Sequence, residues 1–194
     1  MQFVLIQFLN GLASASSLFL VAAGLSIIFG VTRIVNFAHG SFYMLGAYLA
    51  VTLTGWLAGA TSIAGFWTAV VLAALAVGAL GALVEIVLLR RIYQAAELFQ
   101  LLATFGVVLV VGQLVVLIWG PQDLIGPRAP GLDGAISILG QRFPAYELAL
   151  IVIGPAVLGA LHLVLTRTRF GVLVRAATQD REMVAALGVN QAWL

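Results

Sequence analysis

Residues 33–48 read R-I-V-N-F-A-H-G-S-F-Y-M-L-G-A-Y, and the meaning of this stretch decides the fold. It separates two apolar runs and brings Asn36, His39 and Ser41 close together. If the flanking runs lie in lipid, no water is at hand for loose backbone groups, and each unpartnered one costs several kcal/mol. Irregular backbone survives there only inside protein or beside a water-filled path. Gly30 ahead of the stretch, and Gly40 before the next apolar run, predict a helix broken between residues 30 and 41. Such breaks are where membrane transport proteins place pathways and moving parts. Asn36, His39, Gly40 and Ser41 are therefore the pathway candidates. The plainer reading is a turn between two spans, with Asn36 as a helix cap.

Composition puts those runs in a membrane. Hydrophobic residues make up 63% of the chain and charged ones 8%, with a mean hydropathy of +1.16. A soluble domain carries about 25% charge. All nine basic residues are Arg, so the pI near 9.5 rests on few charges and their placement matters more than the net +2. No basic patch interleaves with aromatics, which argues against nucleic-acid binding. The absence of Cys excludes disulfides and thiolate metal sites. Met1 is followed by no positive n-region, so the first apolar run reads as a retained span.

A helix crosses a bilayer with about 20 apolar residues. Apolar runs at 3–29, 41–57, 66–89, 98–119 and 146–166, whose only charges are Glu85 and Glu147, give five expected spans and an all-α polytopic bundle. In the first, Ser14, Ser16 and Ser17 beside Gly11, Ala13 and Ala15 form a close-packing face. Residues 54–65 are small and polar and read as a short loop. In the third, Ala74, Gly78 and Ala82 form a small-residue stripe. Glu85, near that run's end, is either a functional acid or an interfacial ion pair with the arginines that follow it, Arg90 and Arg91. Gln113 in the fourth run needs a hydrogen-bond partner, from a neighbouring helix or from pathway water. Residues 120–144 hold four of the five prolines and form the one long polar connection, with a short hairpin expected around 135–139. His162, near the end of the fifth run, reads as an interfacial side chain.

After the last run, Arg167, Arg169, Arg175 and Arg181 crowd together with Asp180 and Glu182. Residues 178–180 supply N-caps, Met183, Val184 and Leu187 fall at helical spacing, and Gly188 suits the C′ position. This predicts a short capped amphipathic helix beside the membrane, too short to be stable alone. Its apolar stripe must rest on the membrane surface, on the same chain or on a partner.

The motif V-N-F-A-H-G-x-F-Y-M-L-G-A-Y resembles the signature of the branched-chain amino acid permease family of ABC importers, the LivH type. Asn10-Gly11, Gly24-Leu25-Ser26-Ile27-Ile28-Phe29-Gly30 and L-A-T-F-G from Leu102 agree in order and spacing. So does R-F-G-V-L-V-R-A-x-x-Q-D-x-E-M-x-x-x-L-G-V-N from Arg169. Two departures are visible: the Gly-Ser-x-Tyr common in the family is Ala15-Ser16-Ser17-Leu18 here, and Arg91 replaces the proline of E-x-x-x-x-R-P. The resemblance implies a single permease domain over 1–194, with an external loop at 120–144 and a cytoplasmic coupling segment at 167–194. Coupling to an ATPase would then fall to Arg175, Asp180, Glu182, Met183, Leu187 and Gly188. The implied partners are a second permease subunit, two cytoplasmic ATPase subunits, an external solute-binding protein and the lipid bilayer.

The implied function is import of branched-chain amino acids, or of related small amino acids and amides, across the bacterial inner membrane. ATP would be used by the partner subunits, and no cofactor is expected on this chain. The chain carries no G-x-x-x-x-G-K-[ST] phosphate loop and no catalytic constellation, so an enzyme is not expected. With five spans, Arg90, Arg91, Arg167, Arg169, Arg175 and Arg181 share one side with Arg33, and Arg128 and Arg142 lie on the other. The positive-inside rule places the richer side in the cytoplasm and the N-terminus outside. Family members continue with further spans, so the chain reads as C-terminally incomplete relative to them. The alternatives are an ATP-independent channel or secondary transporter, or a truncated non-transporting remnant. A secondary transporter usually carries a mid-span charge, and only Glu85 comes near that.

Overall fold

A computed structural model describes residues 2–32, 35–57, 62–92, 95–138 and 140–189. In order these form α1 (Gln2–Thr32), α2 (Ala38–Leu57), α3 (Ile63–Val84), a π turn (Glu85–Leu89) and α4 (Arg90–Ile92). Then come α5 (Glu97–Trp119), strands β1 (Ala135–Ile138) and β2 (Gln141–Pro144), α6 (Ala145–Arg167), α7 (Arg169–Gln179) and α8 (Arg181–Ala186). Among the described residues, four stretches are long and apolar enough to cross a membrane: Phe3–Gly30, Ile63–Ile92, Glu97–Trp119 and Ala145–Arg167. The chain is a polytopic α-helical membrane protein.

Five spans were expected. The one over 41–57 is helical in α2, but Ser41, Tyr43, Tyr48, Thr52 and Thr54 keep it from being apolar enough to count as a span by composition alone. The loop expected at 54–65 is also shorter than its polarity suggested. Thr54 stays in α2 by donating its hydroxyl to the Ala50 carbonyl at 2.7 Å, and Ser62 caps α3 by accepting from the Gly65 N–H at 3.3 Å.

Two units make up the chain. The first contains α1, nearly all of α6, α7 and α8. There Gly154 of α6 comes so close to α1 that a Cβ on it would lie 2.7 Å from Ser16 Cβ and Oγ. Ser16 and Ala13 are buried and supply the packing surface of α1, whereas Gly11, Ser14 and Ala15 of the expected face are exposed. Pro155 follows inside α6 and contributes no N–H to the helix ladder. Thr168 turns the chain from α6 into α7. Its hydroxyl donates to the Val164 carbonyl at 2.6 Å and accepts from the Gly171 N–H at 3.1 Å. Gly171 is required there, since a Cβ would collide with the Val164 and Leu165 carbonyls.

In the second unit α2 packs against both α3 and α5. The one long helix too low in hydropathy to count as a span by itself is thus flanked by two others, as expected where lipid cannot satisfy hydrogen bonds. The long connection carries the expected hairpin. β1 and β2 pair antiparallel with Ile136 opposite Phe143 and Ile138 opposite Gln141, and Gly140 turns between them at φ 83°. Leu139, at the edge of the expected hairpin, lies outside the described residues.

Replacing Gly154 by Val is expected to destabilise the α1–α6 contact by about 1–3 kcal/mol through overpacking. Gly159→Val, one turn on in open space, should cost far less. Unfolding midpoints of the two variants in detergent check the difference.

Candidate functional site

The interruption between α1 and α2 sits later than Gly30, because α1 stays helical to Thr32. Gly30 does not break the helix, whose backbone ladder continues two residues past it. Residues 35–37 are non-helical, and Arg33 and Ile34 lie outside the described residues. Asn36 closes the turn. Its side-chain oxygen accepts from the Ala38 N–H at 3.0 Å, and its carbonyl accepts from the His39 N–H at 3.2 Å. Ser41 Oγ donates to the Ala38 carbonyl at 2.8 Å. Asn36 and Ser41 are both buried, so their polar groups serve the start of α2.

Gly40 and Ser41 reach a groove of about 950 Å³ between α2 and α5, whereas Asn36 and His39 are not among its lining residues. From α2 the groove takes Gly40, Ser41, Met44 and Tyr48; from α5 and the chain beyond it takes Leu109, Gly112, Gln113 and Asp123. Gly112 has nothing within 4 Å of where a Cβ would be, which keeps the floor open. Gln113 is exposed at this groove, the polar group on an otherwise aliphatic helix face. The groove can hold a small, largely apolar molecule with a few hydrogen-bonding groups.

One end of the groove is clamped. Trp119 Nε1 donates to Thr52 Oγ1 at 2.7 Å, and Thr52 Oγ1 donates in turn to the Tyr48 carbonyl at 2.8 Å. The Tyr48 and Trp119 rings lie 5.4 Å apart at 51°. With Trp119 beside Thr52 and Leu109 across from Ser41, α2 and α5 run in the same direction. Sequence pointed to Gln113 and Ser41, but nothing in it joins Thr52 to Trp119.

At the other end of α5 a second fixture holds the turn from α4. Buried Gln100 donates from Nε2 to the Ile92 carbonyl at 3.2 Å and the Ala95 carbonyl at 2.9 Å. Glu85 is an ion-pair partner, with its Oε2 3.1 Å from Arg90 Nη2. The five-residue spacing suits the π turn, in which the Arg90 N–H bonds the Glu85 carbonyl.

In the tail the expected helix is α8. Asp180 Oδ1 accepts from the Met183 N–H at 2.9 Å. At the other end Gly188, at φ 82°, gives its N–H to the Ala185 carbonyl, and the Val189 N–H reaches the Val184 carbonyl at 3.3 Å. These are the two bonds of a Schellman cap. The expected stripe divides: Val184 is 5% exposed, but Met183 is 59% and Leu187 75% exposed. Residues four apart share a helix face, so Met183 and Leu187 form one outward ridge and Val184 the inward side. Helix α7 was not expected; it buries Gly171, Val174 and Ala177 and leaves Arg175 exposed. The Glu182 side chain lies outside the described residues.

The chain is thus a helical membrane protein with an open groove between two parallel helices and, after its last apolar helix, a short helix capped at both ends. The family model described as branched-chain amino acid transport system, permease component, matches residues 7–194, and the chain belongs to that family. It is 30% identical over 191 residues to the high-affinity branched-chain amino acid transport system permease protein BraD of Pseudomonas aeruginosa. It is 28% identical over 200 residues to LivH of Escherichia coli and 26% over 197 residues to LivH of Salmonella typhimurium, permease proteins of the same description. Each match covers 95% of this chain and 62% of the relative, so the chain spans under two thirds of the length of these relatives. No solved structure matches it.

Removing the clamp's donor in Trp119→Phe is expected to weaken the α2–α5 contact by about 1 kcal/mol. Thr52→Val should cost a similar amount, and the double variant little more than either one. Unfolding free energies in detergent, combined as a double-mutant cycle, measure the coupling.

Proposed function

We propose that this chain is the membrane-spanning permease subunit of an ABC importer for branched-chain amino acids or related small amino acids and amides. Membership of the permease family carries this reading. The α2–α5 groove is the section of the pathway this chain contributes, with Ser41, Tyr48 and Gln113 offering hydrogen bonds within an apolar wall. Asn36 and His39 act there indirectly, by setting where α2 begins. A solute-binding protein delivers the substrate from outside, a second permease subunit completes the pathway, and ATP is hydrolysed on two separate cytoplasmic subunits.

The tail supplies the coupling. A helix of six residues is too short to stand by itself, yet both ends of α8 are closed and Val184 anchors it. That leaves the Met183–Leu187 ridge free to enter a groove of an ATPase subunit, with Arg175 exposed on the preceding α7. Nucleotide-driven movement of that subunit would be passed through α8 and α7 to the spans.

Charge sets the orientation. If α2 crosses alongside α3 and α5, Arg33 joins Arg90, Arg91 and the four tail arginines inside, and the N-terminus is external. If α2 does not cross, the side holding Arg90, Arg91 and the tail still has six arginines against three. Residues 120–144 therefore face outward and 167–194 face the cytoplasm in either case. Packing of α2 along α3 and α5 favours the crossing. A protease site added ahead of Met1 should then be cut only from the outer face, and cleavage from inside would remove α2 from the spans.

Met183→Glu combined with Leu187→Glu is expected to abolish co-purification with the ATPase subunit while leaving membrane insertion intact. Retained co-purification would end the coupling assignment.

A further inference from the structure

The connection after α5 carries an apolar point that the transport reading does not use. Ile125 is 95% exposed and Leu124 44% exposed, in the segment that follows Trp119. Solvent would be an unfavourable setting for two adjacent large aliphatic side chains on a loop. The depth of this segment can be read from its neighbours. A Cβ on Gly126 would fall 2.7 Å from Val51 Cγ2, so the loop lies back against α2. Val51 is next to Thr52, the residue that holds Trp119 at the end of α5. Helix α2 continues past this contact to Trp56, which is 83% exposed and five residues further on. At 1.5 Å rise per residue that is about 7 Å.

Exposed tryptophans at span ends sit at the headgroup level of a bilayer. The loop therefore touches α2 on the lipid side of that level rather than beyond it. It also continues a lipid-facing surface, because Leu117 and Ile118 are exposed in the last turn of α5. We propose that residues 120–127 form a membrane-interface strap, with Leu124 and Ile125 inserted among acyl chains just below the headgroups. Asp123 and Arg128, both exposed, bracket the insert and keep their charges among the headgroups, which limits it to a shallow depth. Gly126 is the residue that lets the strap lie flat on Val51. The strap would anchor the α5 end of the α2–α5 groove to the bilayer surface, and it leaves the hairpin of β1 and β2 as the part of the connection that stands in water.

The chain has no cysteine, so single nitroxide labels can be placed without background. Ile125→Cys, Leu117→Cys as a lipid-facing reference and Asp133→Cys as a water-facing reference would each be labelled. The labelled chain would be reconstituted into phosphatidylethanolamine–phosphatidylglycerol vesicles. Collision of the label with oxygen, which partitions into lipid, is compared with collision with a water-soluble nickel chelate. At position 125 the oxygen-to-nickel ratio is expected to be several-fold above that at 133 and to approach that at 117. A ratio equal to that at 133 would overturn the strap and leave the point in water, open to a soluble partner. A label closed to both reagents would overturn it as well, since the side chain would then be covered by protein.

Discussion

Lipid offers no hydrogen bonds, and this single constraint runs through the structure. Among the described residues no buried side-chain nitrogen or oxygen lacks a partner. Most of these groups are satisfied close by in sequence. Thr52 and Thr54 each return a hydroxyl to the carbonyl four residues earlier, and Ser41 to the one three earlier. A polar side chain satisfied by its own helix can be carried into a membrane without fixing that helix to any neighbour. The long-range bond from Trp119 to Thr52 is different, because it holds two helices sixty-seven residues apart in register.

The same constraint explains where the small residues lie. Helices in lipid gain little from burying one aliphatic side chain against another, since lipid tails are equally apolar, and association relies on close contact. Gly154 on Ser16 is such a contact. Gly112 acts in the opposite way, leaving space between α2 and α5 that a side chain would fill. One residue type thus closes one interface and opens another, and only the neighbouring helix decides which.

Past the last span the solvent changes and so does the device. α7 and α8 are short, and propensity alone would not keep them folded. Thr168, Asp180 and Gly188 close their ends, and Val174, Ala177 and Val184 seat them. A helix held in this way presents an apolar ridge, Met183 and Leu187, without collapsing it into its own chain.

Much of this was legible in the sequence. Apolar runs fixed four spans, because length and hydropathy alone decide whether a helix can cross. The Asp180 cap, the Gly188 stop, the Glu85–Arg90 pair and the hairpin before α6 are local, set by residues at most a few positions apart. What the sequence left open is whatever depends on which helix lies beside which. It did not reveal that α2, which by hydropathy alone falls short of a span, is flanked on two sides, or that Gly40, Ser41 and Gln113 share a groove. Nor did it separate Val184 from Met183 and Leu187, since helical spacing gives a face its composition but not its partner. Local hydrogen bonding and transfer to lipid are properties of a segment. The groove, the clamp and the outward ridge are properties of contacts between segments, and the tertiary structure alone decided them.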